Sequence, residues 1–326
     1  MLDALRGEVD LLDEELIELI IKRLELAREL GRLKRSLGLP IVDKAREGEV
    51  VNKWVSKLRS AGLSEDLAYE LINAIIRAST YVQVGERLNI NVTVVGTGRV
   101  GRAVSRALNR VANVSLIQFR DKPARSDVFI LATRPTWDSV NYVISNVDVI
   151  RGSVLVDLFS VKSTFFNVLE ESSIKYGFHY VSAHPLFGDV GEPVNETVVL
   201  IPSRSSGDYL DLVRELFSRA GLNVVVLRSP EEHDRLMAYL QAAHHMALLT
   251  LYALFRRAGI DLRSAPLTHS LRYTVRAMER VLSQLDVAYE IQSLNPYSSL
   301  VREELISTLR SIIELIDRGR LDEVVK

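Results

Sequence analysis

Hydrophobic positions change their period twice along the chain. From Leu2 to Leu37 they recur at alternating steps of three and four: Leu2, Leu5, Val9, Leu12, Leu16, Leu19, Leu26, Leu30, Leu33 and Leu37. That spacing predicts one long amphipathic helix. The slot between Leu19 and Leu26 holds Arg23, where the pattern asks for an apolar side chain. Gly38 and Pro40 break the helix, Asp43 is placed to cap a second and Ser64 a third. Residues 1–88 therefore read as a three-helix module.

From Asn89 the period becomes strand-like. "INVTVV", "VSLIQF", "VFILA", "SVLVD", "HYVSA" and "VVLIP" are short apolar runs, and helical stretches such as "SGDYLDLVRELFSRAG" separate several of them. Strands alternating with helices predict a parallel, doubly wound sheet over residues 89–229. After Leu227 the strands stop, and "SPEEHDRLMAYLQAAHHMALLTLYALFRRAG" opens an all-helical region over residues 230–326. The joint near "VGERLN" is short, which places the first two parts close together.

Composition narrows the function classes. The chain has 326 residues, 25% of them charged, and a net charge of −1, so nothing marks a nucleic-acid or anionic-membrane partner. It has no cysteine, which excludes disulfides, a thiol nucleophile and a cysteine–zinc cluster. Acids in "MLDALRGEVD" argue against a signal peptide, and no apolar run reaches membrane-spanning length, so a cytoplasmic location is expected.

The first helix, if continuous, is about 50 Å long at 1.5 Å per residue. A module of this size cannot cover it by folding back, so its seam is expected to meet a second copy in a homodimer. On that basis Arg23 has a bland reading, a polar residue that fixes register. Other residues favour a ligand. Lys34 returns to within about 20° of the same face, and two cations beside an apolar seam need an anion. Arg46 and Glu47 lie one turn into the next helix. Arg6 points about 100° away from Arg23 and is expected to reach only a partner's site.

The run "LDALRGEVDLLDEELIELIIKRLELARELGRLKRSLGLPIVDKAREGEV…IIRASTYVQ" resembles the all-helical class of chorismate mutases from end to end. The resemblance implies that Arg23 and Arg46 hold the substrate carboxylates with Arg6 of the other subunit. It implies that Lys34 and Gln83 donate to the ether oxygen of the breaking bond, that Glu47 takes the ring hydroxyl, and that Asp43 and Ser79 line the pocket. Ser79 and Gln83 are an i, i+4 pair and share a helix face.

"NVTVVGTGRVGRAVSRAL" places Gly96, Gly98 and Gly101 between a strand and a helix. Glycines there permit the tight turn and let backbone N–H groups approach a pyrophosphate. The segment Gly96, Thr97, Gly98, Arg99, Val100 and Gly101 is therefore the expected dinucleotide cradle. At the end of the second strand, Gln118 stands where an NAD-selective fold offers an acid. Arg120 could pair with a 2′-phosphate and Asp121 could serve as the acid, so NAD and NADP both stay open.

"VLVDLFSVK" presents Ser160 and Lys162 at a strand end, and "HYVSAHPLFGD" presents His184. A histidine there is either a structural hydrogen-bonder or a base beside a nicotinamide. The six histidines show no metal-ligand spacing, and no metal is expected. "VDLFSVK", "HPLFG" and "EEHDRLMAYLQAAHH" together are similar to prephenate dehydrogenase. The resemblance implies that His184 accepts the proton of the ring hydroxyl, that Ser160 hydrogen-bonds the same hydroxyl, that Arg280 binds a substrate carboxylate and that His245 lies on the substrate side. It also implies that the C-terminal helices dimerise.

The two resemblances name consecutive steps, chorismate to prephenate and prephenate to 4-hydroxyphenylpyruvate. Two other readings stand beside this one: arogenate as the substrate of the second half, and a dinucleotide-sensing regulator whose first helix only dimerises.

Overall fold

A computed structural model describes residues 1–84, 87–188 and 190–325. Gly85 and Glu86, within the predicted joint, lie outside the described residues. The chain divides into two compact units: residues 1–159 with 170–226, and residues 160–169 with 227–326.

The first unit opens with α1 (Leu2–Ser36), α2 (Lys44–Ser60) and α3 (Glu65–Gln83). Asp43 caps α2 by accepting from the Arg46 N–H at 3.0 Å, and Ser64 caps α3 through the Leu67 N–H. Val51, Val55, Ala68, Ile72 and Ile76 form the core between α2 and α3. Against α3, α1 buries only Ala27 and Gly31. Every residue from Met1 to Leu19 is exposed, and the ten seam positions keep between 47% and 63% of their surface. Arg23 is not inside that seam. It stands at its margin, on the side of Ala27 and Gly31 that faces α3, because only the C-terminal half of α1 has an intrachain neighbour.

The rest of this unit is a seven-stranded sheet: β1 (Asn91–Val95), β2 (Asn113–Ile117), β3 (Val128–Leu131), β4 (Val154–Asp157), β5 (His179–Pro185), β6 (Thr197–Pro202) and β7 (Asn223–Val226). Its order is β2-β1-β3-β4-β5-β6-β7. The first five strands run parallel in register, with Val92 opposite both Val114 and Val128. β6 pairs antiparallel with β5, and β7 runs with β6. The predicted sheet is thus parallel in its first five strands only. A parallel return needs a crossover, usually a helix; the described residues between Pro185 and Thr197 contain none. Helices α4 (Arg99–Leu108), α5 (Trp137–Ser145), α6 (Val147–Ile150), α7 (Phe166–Tyr176) and α8 (Tyr209–Arg219) connect the strands. Val92, Val94, Val104, Leu108, Ile130, Val156 and Phe217 are among its core residues, each at most 1% exposed.

The helical module is fastened to this sheet region. Arg110 donates to the Tyr81 carbonyl and stacks over the Tyr81 ring at 3.7 Å. Asn195 donates to Glu47 at 3.3 Å, and the Leu88 N–H donates to Val111.

The second unit holds α9 (Pro230–Met237), a π-helical turn (Ala238–Ala243), α10 (His244–Arg257), α11 (His269–Leu282), α12 (Leu285–Leu294) and α13 (Ser298–Asp317). Leu248, Val275, Met278, Val281 and Ala288 form one core, and Val161, Ala242 and Ile291 another. No helix of the described residues is long and apolar enough to cross a membrane.

Candidate functional site

The first candidate site lies in the groove between α1 and α3. Gly31 brings the helices together: a Cβ there would sit 2.7 Å from the Gln83 carbonyl oxygen and 2.9 Å from the Gln83 Cα. Arg35 closes the same end by donating to that carbonyl at 2.6 Å. Along the groove Arg23 donates to the Ser79 hydroxyl, which in turn donates to the Ile75 carbonyl at 2.8 Å. Burial alone lowers the Arg23 pKa from its ordinary value. Gln83, one turn beyond Ser79, is buried, and its Oε1 has no hydrogen-bond partner among the described residues.

Lys34 is half-buried and donates to the Ile41 carbonyl at 2.7 Å. Among the described residues neither Arg23 nor Lys34 has a carboxylate within ion-pair distance. A cation, a hydroxyl and an orphaned amide oxygen on one groove form a receptor for an anion that also carries a hydrogen-bond donor.

The other predicted residues are less gathered. Asp43 is spent on its cap. Arg46 is exposed and pairs with Glu49 at 2.5 Å, while Glu47 holds Lys44 and Asn195 at 3.3 Å each. Arg6 is exposed beside Asp3, about 25 Å along α1 from Arg23 at 1.5 Å per residue. It cannot join the groove of its own chain.

The second site is the turn between β1 and α4. Gly96 has φ +116° and leads into the Thr97–Val100 stretch. A side chain there would collide with the Ala132 carbonyl, and one at Gly101 would collide with the Gly96 carbonyl. Gly98 is different: it caps α4, and nothing lies within 4 Å of where its Cβ would be. Two glycines therefore close the turn and the third leaves the open cradle a pyrophosphate requires. The predicted dinucleotide fits. Arg99 and Val100 begin α4. Thr97 accepts from Arg102 at 2.6 Å through its carbonyl.

Just past β2, Gln118 is exposed and its N–H donates to the Asp121 carboxylate at 2.9 Å, closing a small turn. Asp121 is thereby engaged, whereas Arg120 is exposed and has no ion pair among the described residues. In the same sheet His184 is the penultimate residue of β5, 4% exposed and opposite Val199. Asp157, at the end of β4, accepts from the Phe159 N–H at 2.9 Å and the Tyr180 hydroxyl at 2.7 Å. Burial and that carboxylate push the Tyr180 phenol pKa well up.

In the second unit Ser160 is half-buried and opens a short segment. The fully buried Asp234 fixes that segment, accepting from the Lys162 and Ser163 N–H groups at 2.9 and 2.8 Å and meeting His233 at 2.8 Å. Asn295 donates to the Asp234 carbonyl at 2.7 Å. Burial opposes the ionised carboxylate, but these hydrogen bonds outweigh it and hold its pKa below the ordinary value. Sequence reasoning passed over Asp234, although "EEHD" contains an adjacent acid and histidine. His245 is the second residue of α10, and its buried Nδ1 has no hydrogen-bond partner among the described residues. Arg280 is exposed on the last turn of α11.

Residues 5–84 match the family chorismate mutase type II. The "T-protein" of Enterobacter agglomerans is 28% identical over 262 residues, 76% of this chain and 68% of the relative. A "probable arogenate/prephenate dehydrogenase" of Methanocaldococcus jannaschii is 27% identical over 182 residues, 54% and 40% of the two chains. The structure of prephenate dehydrogenase from A. aeolicus, in complex with hydroxyphenyl propionate and NAD+, superimposes with a TM-score of 0.57. That match covers 73% of this chain and 94% of the other at 18% identity, a likeness of fold. The first module thus matches chorismate mutase type II, and the chain as a whole is similar to relatives named T-protein and, beyond that module, to structures of prephenate dehydrogenase fold.

Proposed function

We propose that the chain catalyses two consecutive steps, rearrangement of chorismate to prephenate and NAD(P)-dependent oxidative decarboxylation of prephenate to 4-hydroxyphenylpyruvate. The observation that carries this reading is the α1–α3 groove. Arg23 lies in it on Ser79, and among the described residues neither Arg23 nor Lys34 has a carboxylate partner, inside a segment matched to chorismate mutase type II.

The rearrangement is unimolecular and needs neither nucleophile nor proton shuttle. It requires that a dianion be held in a compact conformer while charge grows on an ether oxygen. Arg23, Arg46 and the Arg6 of a second copy hold the carboxylates, Lys34 and Gln83 donate to the ether oxygen, and Glu47 takes the ring hydroxyl. Asp43 and Ser79 line the pocket. The exposed leucine stripe of α1 supports the homodimer this arrangement needs, since monomers rarely leave so long an apolar face uncovered.

For the second step, His184 takes the proton of the ring hydroxyl and Ser160 hydrogen-bonds the same oxygen. Arg280 binds a carboxylate, and His245 lies on the substrate side. The residues 96–101 hold the cofactor's pyrophosphate, with Gln118 and Arg120 beside its ribose. The bound nicotinamide supplies a hydride acceptor, and loss of the ring carboxylate as carbon dioxide aromatises the product. On this reading residues 1–88 are the mutase domain, 89–229 the dinucleotide domain and 230–326 the dimerising substrate domain, in a cytoplasmic enzyme.

The test is to give the pure protein chorismate with NAD+ or NADP+ and follow the reduced cofactor. Arg23→Ala should lose the first step while still oxidising supplied prephenate, and His184→Asn should do the reverse. Silence of the unmodified protein with both cofactors would refute the reading.

A further inference from the structure

Among the described residues Asn195 is the one residue other than glycine with a positive φ, at 65°. It is the third residue of a turn over residues 193–196, which the Glu196 N–H closes on the Pro193 carbonyl at 3.3 Å. That position calls for left-handed backbone, which glycine adopts without cost and asparagine tolerates. The turn is well anchored. The Asn195 N–H donates to the Gly221 carbonyl at 2.8 Å and the Asn223 N–H to the Glu196 carbonyl at 2.9 Å, while Pro193 and Val194 are buried. Backbone needs therefore account for the φ, but glycine would meet them as well, and they leave the side chain unexplained.

That side chain reaches the mutase module. Its Nδ2 donates to Glu47 Oε1 at 3.3 Å, within the same compact unit, and Lys44 meets the other carboxylate oxygen at 3.3 Å. The Asn195 Oδ1 is buried and has no hydrogen-bond partner among the described residues. Turning the amide over would set that oxygen against the Glu47 carboxylate, so Glu47 decides which way it faces. Leaving a buried acceptor unpaired is costly, and here the amide does so to keep its N–H on the carboxylate. Lys44 is exposed and one turn away on the same helix, a pair of the kind that holds weakly. The anchored turn is thus the firmer support. One amide N–H also leaves lone pairs of the carboxylate free for another donor.

We propose that Asn195, on the segment between β5 and β6, is a positioning residue for the mutase reaction, holding Glu47 in the rotamer that takes the substrate's ring hydroxyl. The inference rests on the mutase reading above. Asn195 touches no reacting atom; it acts through Glu47, as the supporting contacts of a preorganised site do.

The experiment uses the full chain with Asn195→Gly, Asn195→Asp, Glu47→Ala and the double variant Asn195→Gly/Glu47→Ala. It measures chorismate loss, prephenate oxidation and the melting temperature of each. Asn195→Gly keeps the backbone conformation and removes only the amide. It should lower mutase kcat/KM by about tenfold, the worth of a hydrogen bond to a charged group. The loss should fall mainly on KM, because the hydroxyl is held alike before and during the rearrangement. Asn195→Asp should be worse, although aspartate is the isostere and also tolerates positive φ, since it sets one carboxylate against another. A merely structural asparagine would give the opposite order. In the Glu47→Ala background, Asn195→Gly should cost nothing further, and prephenate oxidation should be unchanged by either Asn195 variant. Full mutase activity in both folded single variants, or the same tenfold loss with Glu47 absent, would overturn the inference. Failure of the unmodified protein to convert chorismate would overturn the underlying reading instead.

Discussion

Gly31→Ala tests how tightly the mutase groove depends on helix spacing. The added methyl would meet the Gln83 carbonyl oxygen at 2.7 Å, and its Cα and Cβ at 2.9 and 3.0 Å. These are largely backbone atoms at the end of α3, further tied by Arg35, so no flexible side chain can yield. Going from 2.7 Å to an ordinary contact of 3.4 Å parts the helices by about 0.7 Å. Alanine favours the helix by about 1 kcal/mol over glycine, while overpacking costs about 1–3 kcal/mol. Stability should therefore fall by no more than about 2 kcal/mol.

Activity should respond more strongly. A misplacement of about 1 Å at a positioned group costs on the order of 100-fold, so moving Gln83 by this amount should lower mutase kcat/KM by roughly tenfold or more. The assay follows chorismate loss by ultraviolet absorbance, with prephenate oxidation in the same preparation as the internal control. Full mutase activity in a folded Gly31→Ala protein would refute the argument that Gln83 is held by the α1–α3 contact.

Two further outcomes are expected. The double change Leu12→Lys and Leu16→Lys puts charge into the exposed stripe and should give a monomer by sedimentation, with mutase activity lost because the second Arg6 is removed; a monomeric wild type, or a variant that stays dimeric, would contradict the seam. Asp234→Asn should cost about 2 kcal/mol near neutral pH, because one amide N–H then faces a backbone donor. The Asp234 pKa is lowered on folding, so its contribution is present above the ordinary carboxyl value of 3.8 and is lost as pH falls through the lower folded value. Urea melts of wild type at pH 7 and at low pH should show that loss and the variant should not; parallel pH profiles would be the contrary result.

The groove shows how far periodicity carries. Ser79 and Gln83 share a face by spacing alone, and the structure keeps them there with Arg23 on Ser79. Periodicity also grouped Arg23 with the leucine seam, but a 3.5-residue repeat does not say which neighbour lies on which side. Only the docking of α3 against Ala27 and Gly31 separates the two faces. The antiparallel β6 escaped for a similar reason: an apolar run reads the same in both directions, and its sense depends on whether a crossover precedes it.

Local chemistry was legible in the chain itself. Caps at Asp43 and Ser64, the glycine turn at 96–101 and the strand-to-helix rhythm follow from interactions within a few residues, and backbone sterics make them independent of the rest of the fold. The partners of buried groups were not legible. Asp234 reaches 72 positions back to Lys162, and Gln292 reaches 50 back to Ala242, pairings that become fixed only when distant segments pack and water leaves. The orphaned atoms of Gln83 and His245, among the described residues, belong to the same class, because an unpaired polar atom is defined by everything that surrounds it.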